Sequence, residues 1–204
     1  MSIPRTARLP AAERRESILA AAETVFGERG YTGATTDAIA TVAGISQAYV
    51  IRTFGSKEAL FVATAQRALD RVTEAFRSAI ADAADTEPRS RVEPLLGAAY
   101  ARLVQDRGTL LTLLHLFTLG HDPVIGSVAR EGFMNTYRIL RDEAGLSPER
   151  ATAFLANGMM VNTILGLRLP GLAADDEAVP EVLKATFREN TKLVLQLFSG
   201  DDQR

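Results

Sequence analysis

Gln47 and Arg52 lead a short run of residues whose side chains suit the base edges and phosphates of a nucleic acid. A glutamine amide donates and accepts at once and so matches adenine, whereas an arginine fork either binds guanine bidentately or holds a phosphate. Tyr49 and Thr53 bring hydroxyls that can donate to phosphate oxygens, and Ala48 and Ile51 add small and apolar surface beside them. Lys57 and the free N–H groups following Ser56 suit a phosphate at a helix N-terminus, and Thr36 suits one on the other side. On a helix, Gln47, Ala48, Ile51 and Arg52 share one side, while Val50 and Phe54, four apart, share the other.

Such a face needs a rigid mount, and the flanking residues supply one. Thr35 or Thr36 can accept the first free N–H groups of a helix running to about Ala43. Asp37 sits in its first turn, where the helix dipole favours an anion, and Ile39, Val42 and Ala43 form an apolar stripe. Gly44 can take the left-handed conformation that ends this helix, Ile45 turns inward, and Ser46 caps the next. Gly55 stops that second helix, and Ser56 opens a third with Lys57 and Glu58 in its first turn. Two short helices joined by a tight turn form a helix-turn-helix, whose second helix fits the major groove.

In order and spacing, Gly30-Tyr31, Thr35-Thr36, Ile39-Ala40, Ala43-Gly44-Ile45-Ser46 and Phe54-Gly55-Ser56-Lys57-Glu58-x-Leu60 resemble the N-terminal domain of TetR-type transcriptional regulators. The resemblance spans roughly residues 14–62. It implies a three-helix DNA-binding domain followed by a larger helical domain that encloses a small-molecule effector and forms a homodimer. It further implies a repressor on an inverted-repeat operator, released by its effector. The position matching Gln47 commonly approaches a base in the family. Five residues after the capping serine the family usually has a tyrosine directed at the backbone, and here Ile51 stands instead. Either Ile51 touches a thymine methyl or Tyr49 takes over the phosphate.

Plainer roles stand beside these. Gln47 and Thr53 also suit ordinary surface, Arg52 also suits a carboxylate neighbour, and Arg5 and Arg8 suit either a minor groove or a solvated tail.

The chain has 204 residues, 47% hydrophobic and without cysteine, which excludes disulfides and cysteine-ligated zinc; two histidines argue against a histidine-rich metal site. No cofactor or metal is expected. No apolar run approaches bilayer length and the N-terminus lacks a secretory core, so a cytoplasmic protein with no membrane partner is expected. Net charge is −2, unevenly spread: residues 1–57 carry seven Arg/Lys against five acids, a mild basic excess that coincides with the proposed reader.

Helical periodicity and punctuation predict an all-α chain of about nine helices: an arm over 1–10, a DNA-binding domain over 11–57, and an effector-binding and dimerisation domain over 58–204. The first helix spans about Ala11 to Glu28, and the helix opened by Ser56 runs to about Ala84, where residues 85–89 break it. Further helices cover about 92–105, 109–119, 122–144, 148–169 and 181–198, with a loop over 173–180. Leu103, Leu111, Leu114, His115 and Phe117 offer apolar walls with a few polar groups for an effector pocket. Phe133, Met134, Tyr137, Asn157 and Met160 complete the set, although the same pattern describes a plain core and His115 a packing histidine. The last two helices show wide apolar faces suited to a four-helix dimer interface: Phe154, Val161 and Leu165, with Gly158 allowing close approach, and Val182, Phe187, Leu193 and Leu197.

An enzyme or helical carrier with a vestigial reader is the competing reading, and an effector-independent DNA binder a third. Against the enzyme stands the absence of a nucleophile elbow, a phosphate-cradling loop, a metal spacing or a dinucleotide fingerprint.

Overall fold

In the computed structural model, residues 10–84 and 92–198 are described, and among them regular structure is helical throughout. Residues 1–9 of the expected arm, with Arg5 and Arg8, and the expected break at 85–89 lie outside the described residues. Helix α1 spans Ala11–Gly33, with non-helical backbone at Gly30, and is followed by α2 (Thr36–Val42), α3 (Gln47–Phe54) and the long α4 (Lys57–Ala84). Local chemistry sets these ends. Thr35 Oγ1 accepts from the Ala38 amide at 3.1 Å, Ser46 Oγ from Tyr49 at 3.3 Å and Ser56 Oγ from Ala59 at 3.0 Å, each satisfying an N–H that the helix leaves free.

The turn between α2 and α3 closes as a Schellman motif. Gly44 at φ 66° bonds back to Thr41, and the Ile45 amide reaches the Ala40 carbonyl at 3.0 Å. Only a residue without Cβ enters that backbone region cheaply, so the turn that sets the angle between α2 and α3 depends on Gly44. The inward face of α2 is Ile39 and Ala40, both buried, with Ala43 half-buried; Val42 is 55% exposed. This corrects the expected stripe: on a seven-residue helix an i, i+3 pattern fits two faces, and packing on α1 and α3 selects the one holding Ala40.

Behind the reader, Phe26 of α1, Tyr31 and Phe61 of α4 form an aromatic cluster, with Phe26 and Phe61 edge to face at 4.9 Å and Tyr31 and Phe61 at 5.1 Å. From this cluster a continuous core runs along α4 through Ala65, Leu69, Val72 and Phe76 to Leu113, Ile125 and Leu140.

The larger part comprises α5 (Val92–Leu103), α6 (Arg107–Thr118), α7 (Pro123–Arg138), α8 (Pro148–Gly166), α9 (Ala178–Phe187) and α10 (Thr191–Phe198). Asp122 and Ser147 cap α7 and α8, each ahead of a proline at the first helical position. The end of α7 widens into a π turn over Ile139–Glu143, closed by the Ala144 amide on the Ile139 carbonyl at 2.9 Å. Three expectations shift. Asp106, not Gly108, opens α6, its Oδ1 accepting from the Gly108 and Thr109 amides. Pro180 lies in the first turn of α9 rather than in a loop, where its missing N–H costs nothing. The single C-terminal helix is two, parted at Arg188 (φ 49°), where Asn190 Nδ2 donates to the Pro94 carbonyl at 3.1 Å and ties the break to α5.

Where α1 crosses α6 the backbones meet closely. A Cβ on Gly27 would stand 3.2 Å from Leu111 Cβ and 3.5 Å from the Gly108 Cα, so two glycines permit the crossing. His115 closes it, its Nε2 lying 3.3 Å from the Gly27 carbonyl oxygen. Beside it, buried Glu23 on α1 pairs with Arg67 on α4, while Arg71 bonds Asp106 at the head of α6 at 2.9 Å. Burial raises the Glu23 carboxyl above its usual range although Arg67 and Arg71 partly offset it, and its Oε1 is sealed without a partner. At Asp106 burial acts in the same sense, but the Arg71 guanidinium and the Thr109 amide outweigh it and the carboxyl is lowered from 3.8.

The signs therefore oppose. Asp106 stabilises the fold above about pH 3.8 and loses that contribution as pH falls through its lowered value; Glu23 contributes below its usual range and loses this as pH rises through its raised value. Asp106→Ala, which deletes both the cap and one of Arg71's two acidic partners, is expected to cost about 1–2 kcal/mol in urea unfolding at pH 7. The gap to wild type should close as pH drops below 3.8. A gap independent of pH would remove the charge from this account.

The residues expected at a dimer interface are largely consumed within the chain. Val161, Leu165 and Phe187 are buried with Leu183 and Val194 in a second core, Val182 packs against it, Leu193 and Leu197 are half-buried, and Phe154 packs on the main core. The correction is that these apolar stripes fold α8, α9 and α10 onto one another and onto α5 and α6.

Candidate nucleic-acid interface

Helix α3 presents Gln47, Ala48, Ile51, Arg52 and Thr53 to solvent, while Val50, 1% exposed, anchors its opposite side in the core. The capping Ser46 is also exposed. Gln47 is held in place: its Nε2 donates to Thr36 Oγ1 at 2.9 Å across the turn, leaving its Oε1 as an acceptor. Thr36 is itself buried, so its hydroxyl orients Gln47 and is withdrawn from the phosphate contact expected of it; Thr35 is the cap. Thr53 Oγ1 donates to the Tyr49 carbonyl at 2.8 Å, within its own helix.

Tyr49 is the hub of a cationic cluster. Arg52 lies 4.8 Å from its ring centroid and Arg14, from the first turns of α1, 5.3 Å; Arg15 stands 5.2 Å from Phe54 in the same way. Cations stacked on the aromatic residues of α3 raise the local positive potential without a dense basic sequence. In the sequence Arg14 and Arg15 stand out only as part of the mild basic excess of residues 1–57. Their signal was positional: they stand four residues before the buried Ile18 and Leu19, on the face of α1 that packs behind the reader.

Lys57 is less free than expected. Its Nζ donates to the Thr32 and Ala34 carbonyls at 3.3 and 3.1 Å and lies 4.8 Å from the Tyr31 centroid, which pins the α1–α2 connection to the head of α4. One of its three N–H groups remains for a phosphate, alongside the free N-terminal amides of α4. Ile51, 41% exposed, stands between Gln47 and Arg52 on the outer face.

The residues expected to line an effector pocket are only partly brought together. Phe117 and Phe133, edge to face at 6.3 Å, line a narrow cleft between α4, α5, α6, α7 and α8. Phe154 and Gly158, expected at a dimer surface, line it as well. Leu111 packs at the α1–α6 crossing, His115 on Gly27 and Leu114 beside the second core, while Leu103 packs on the main one. Met134 and Met160 are exposed, Tyr137 stacks beneath Arg141, and Asn157 Nδ2 donates to the Thr186 carbonyl. Apolar periodicity located the helices but not which of their faces converge. Among the described residues no group of three potential metal ligands occurs, and no helix is long and apolar enough to cross a membrane.

Residues 18–64 match the family model for bacterial regulatory proteins of the tetR family. Over 84 residues the chain is 40% identical to the HTH-type transcriptional activator FasR of Mycolicibacterium smegmatis (strain ATCC 700084 / mc(2)155), covering 41% of this chain and 38% of that protein. Over 87 residues it is 36% identical to the HTH-type transcriptional regulator BetI of Rhizobium meliloti (strain 1021), covering 43% and 42%. The chain thus spans about two fifths of the curated relatives it matches, and both act in transcription. Across nearly the whole length, the fold resembles a transcriptional regulator from Rhodococcus sp. Rha1, with a TM-score of 0.63, 19% identity and coverage of 91% of this chain and 97% of that one.

Proposed function

We propose, from the premise that this chain belongs through its N-terminal domain to the TetR family of bacterial regulatory proteins, that it is a ligand-responsive transcriptional regulator. Its dimer binds an inverted-repeat DNA operator as a repressor and leaves it when a small molecule occupies the interior cleft. The observation that carries this reading is the mount of α3: a Schellman turn at Gly44 and a cap at Ser46 hold Gln47, Ala48, Ile51 and Arg52 outward on a helix anchored by Val50. In that reading Gln47 Oε1 and Arg52 meet base edges or phosphate, and Ile51 meets a thymine methyl. Thr53, Tyr49, Lys57 and the α4 N-terminus hold the backbone.

A symmetric dimer presents its two α3 helices about 34 Å apart, one turn of DNA. Because the inner stripes of α8–α10 are spent within the chain, the pairing surface is the outer stripe of α8, where Ala156, Met160, Thr163 and Leu167 stand at helical spacing and Leu167 is 64% exposed. Analytical ultracentrifugation is expected to show a dimer at micromolar concentration, and a monomer there would refute the pairing.

Gel shifts on DNA from upstream of the chain's own gene, at stated salt, test the reading, and no specific shift on any palindromic site would favour a carrier. Gln47→Ala is expected to relax preference at one base position at a cost of about 1–3 kcal/mol per half-site. Thr36→Val, which frees the glutamine amide without removing it, should produce a smaller relaxation at that same position. A change at Thr36→Val spread over all positions would mean that the Thr36 bond does not aim Gln47. A reporter fused to that upstream DNA fixes the sign of regulation, with rising expression on deletion expected.

A further inference from the structure

The interior cleft has a chemistry of its own. Its walls are apolar and largely aromatic, with Leu69, Val72, Phe76, Phe117, Phe133 and Phe154 among them, and every side chain lining it is uncharged. At its polar point Tyr100 Oη stands 2.7 Å from Asn162 Oδ1, the length of an O–H···O bond, so the tyrosine donates and the carboxamide oxygen accepts. Burial pushes the Tyr100 hydroxyl up to about 12, so it stays a neutral donor in ordinary conditions. With the oxygen taken, Asn162 faces the cleft with its Nδ2. The residue is 2% exposed, and that nitrogen has no hydrogen-bond partner among the described residues. Among the described residues the sealed, unpartnered side-chain atoms are Arg14 Nε, Glu23 Oε1 and Thr112 Oγ1, so the Asn162 nitrogen, which is not one of them, opens on the cleft.

Gly158 adds a second, independent observation. It lines the cleft on the inward stripe of α8, between Phe154 and Asn162, and a Cβ built there would meet nothing within 4 Å. A glycine in a helix interior is disfavoured against alanine, and here no neighbouring atom requires it. The space beside it is open to the cleft.

We infer that the cleft selects an uncharged, predominantly apolar molecule bearing a hydrogen-bond acceptor, such as a ketone or ester carbonyl, which receives the Asn162 Nδ2 donor while the phenyl rings enclose the remainder. The inference rests on the reading of this cleft as the effector site. A carboxylate would enter without a cation to pair with, and burying an unpaired charge costs several kcal/mol. A quaternary ammonium would find ring faces but no carboxylate, and an acceptor-free hydrocarbon would leave the buried amide unpartnered.

Four probes of similar skeleton separate these cases by calorimetry on the full chain: 4-phenylbutan-2-one, butylbenzene, 4-phenylbutanoate and trimethyl(2-phenylethyl)ammonium. The ketone is expected to bind about tenfold more tightly than butylbenzene, one hydrogen bond's worth, and more tightly still than either ion. Asn162→Leu combined with Tyr100→Phe, which leaves no orphaned hydroxyl, should bring the ketone-to-butylbenzene ratio to about one. Gly158→Leu should weaken both neutral probes by at least about tenfold without lowering the melting midpoint of the unliganded protein. Equal or tighter binding of either ion, a ratio that survives the double variant, or no binding by any neutral probe would overturn the inference. DNA binding measured on the same samples keeps the two readings apart. Loss of the ketone preference with operator binding intact refutes the ligand class alone, and a chain that prefers the ketone but binds no DNA refutes the regulator.

Discussion

Arg52→Glu is expected to abolish sequence-specific DNA binding while leaving the fold standing. Arg52 is exposed, and among the described residues its side chain rests on the Tyr49 ring at 4.8 Å, an interaction of about 0.5–1 kcal/mol. In the proposed complex the same side chain meets either a guanine or a phosphate, and losing it is expected to cost roughly 1–3 kcal/mol per half-site. Because a dimer carries two copies, the loss is on the order of 2–6 kcal/mol, thirtyfold to ten-thousandfold, before the new carboxylate's repulsion is added. Fluorescence anisotropy at fixed salt and a thermal melt read the two halves of this expectation. An Arg52→Glu protein that keeps wild-type affinity and salt slope would place Arg52 away from DNA.

Phe61→Ala should give the largest loss of stability, about 3–5 kcal/mol. The ring is fully buried at the head of α4, edge to face with Phe26 of α1 and packed on Tyr31, so its removal opens a cavity between the reader and the helix that carries the core onward. A domain of ordinary stability has about 5–15 kcal/mol in all, so the urea midpoint should fall by a large fraction. DNA binding should fail with the fold rather than before it, in contrast to Arg52→Glu. A loss below about 1 kcal/mol would mean the three aromatic residues are not the joint described.

Helix order was legible in the sequence wherever the signal was local. Ser46, Asp122 and Ser147 cap the helices they precede, and Gly44 ends α2 by the φ that only a glycine takes without strain. What depended on distant partners was hidden. No glycine or proline announces the break between α9 and α10; Arg188 adopts a positive φ, and Asn190 fastens the chain there to Pro94, far away in sequence. Apolar spacing told that α8 has a buried face, but not whether its own chain or a second copy covers it, and so Val161 and Leu165 were read as an interface.

The reader shows the same division. The outward set on α3 follows from helical spacing alone, since Val50 and Phe54 must turn inward. The bond from Gln47 to Thr36, the seat of Lys57 on two carbonyls, and the approach of Arg14 to Tyr49 need three elements brought together in space. Those contacts turn a list of polar residues into a surface with an orientation.

Whether this surface reads DNA as a two-fold pair is decided by titrating a labelled inverted-repeat fragment from the upstream region against the same fragment with one half-site scrambled. Two chains are expected per intact fragment, with affinity falling steeply as salt rises and dropping by at least about tenfold when one half-site is scrambled. Equal affinity for the intact and scrambled fragments, at any salt, would contradict it.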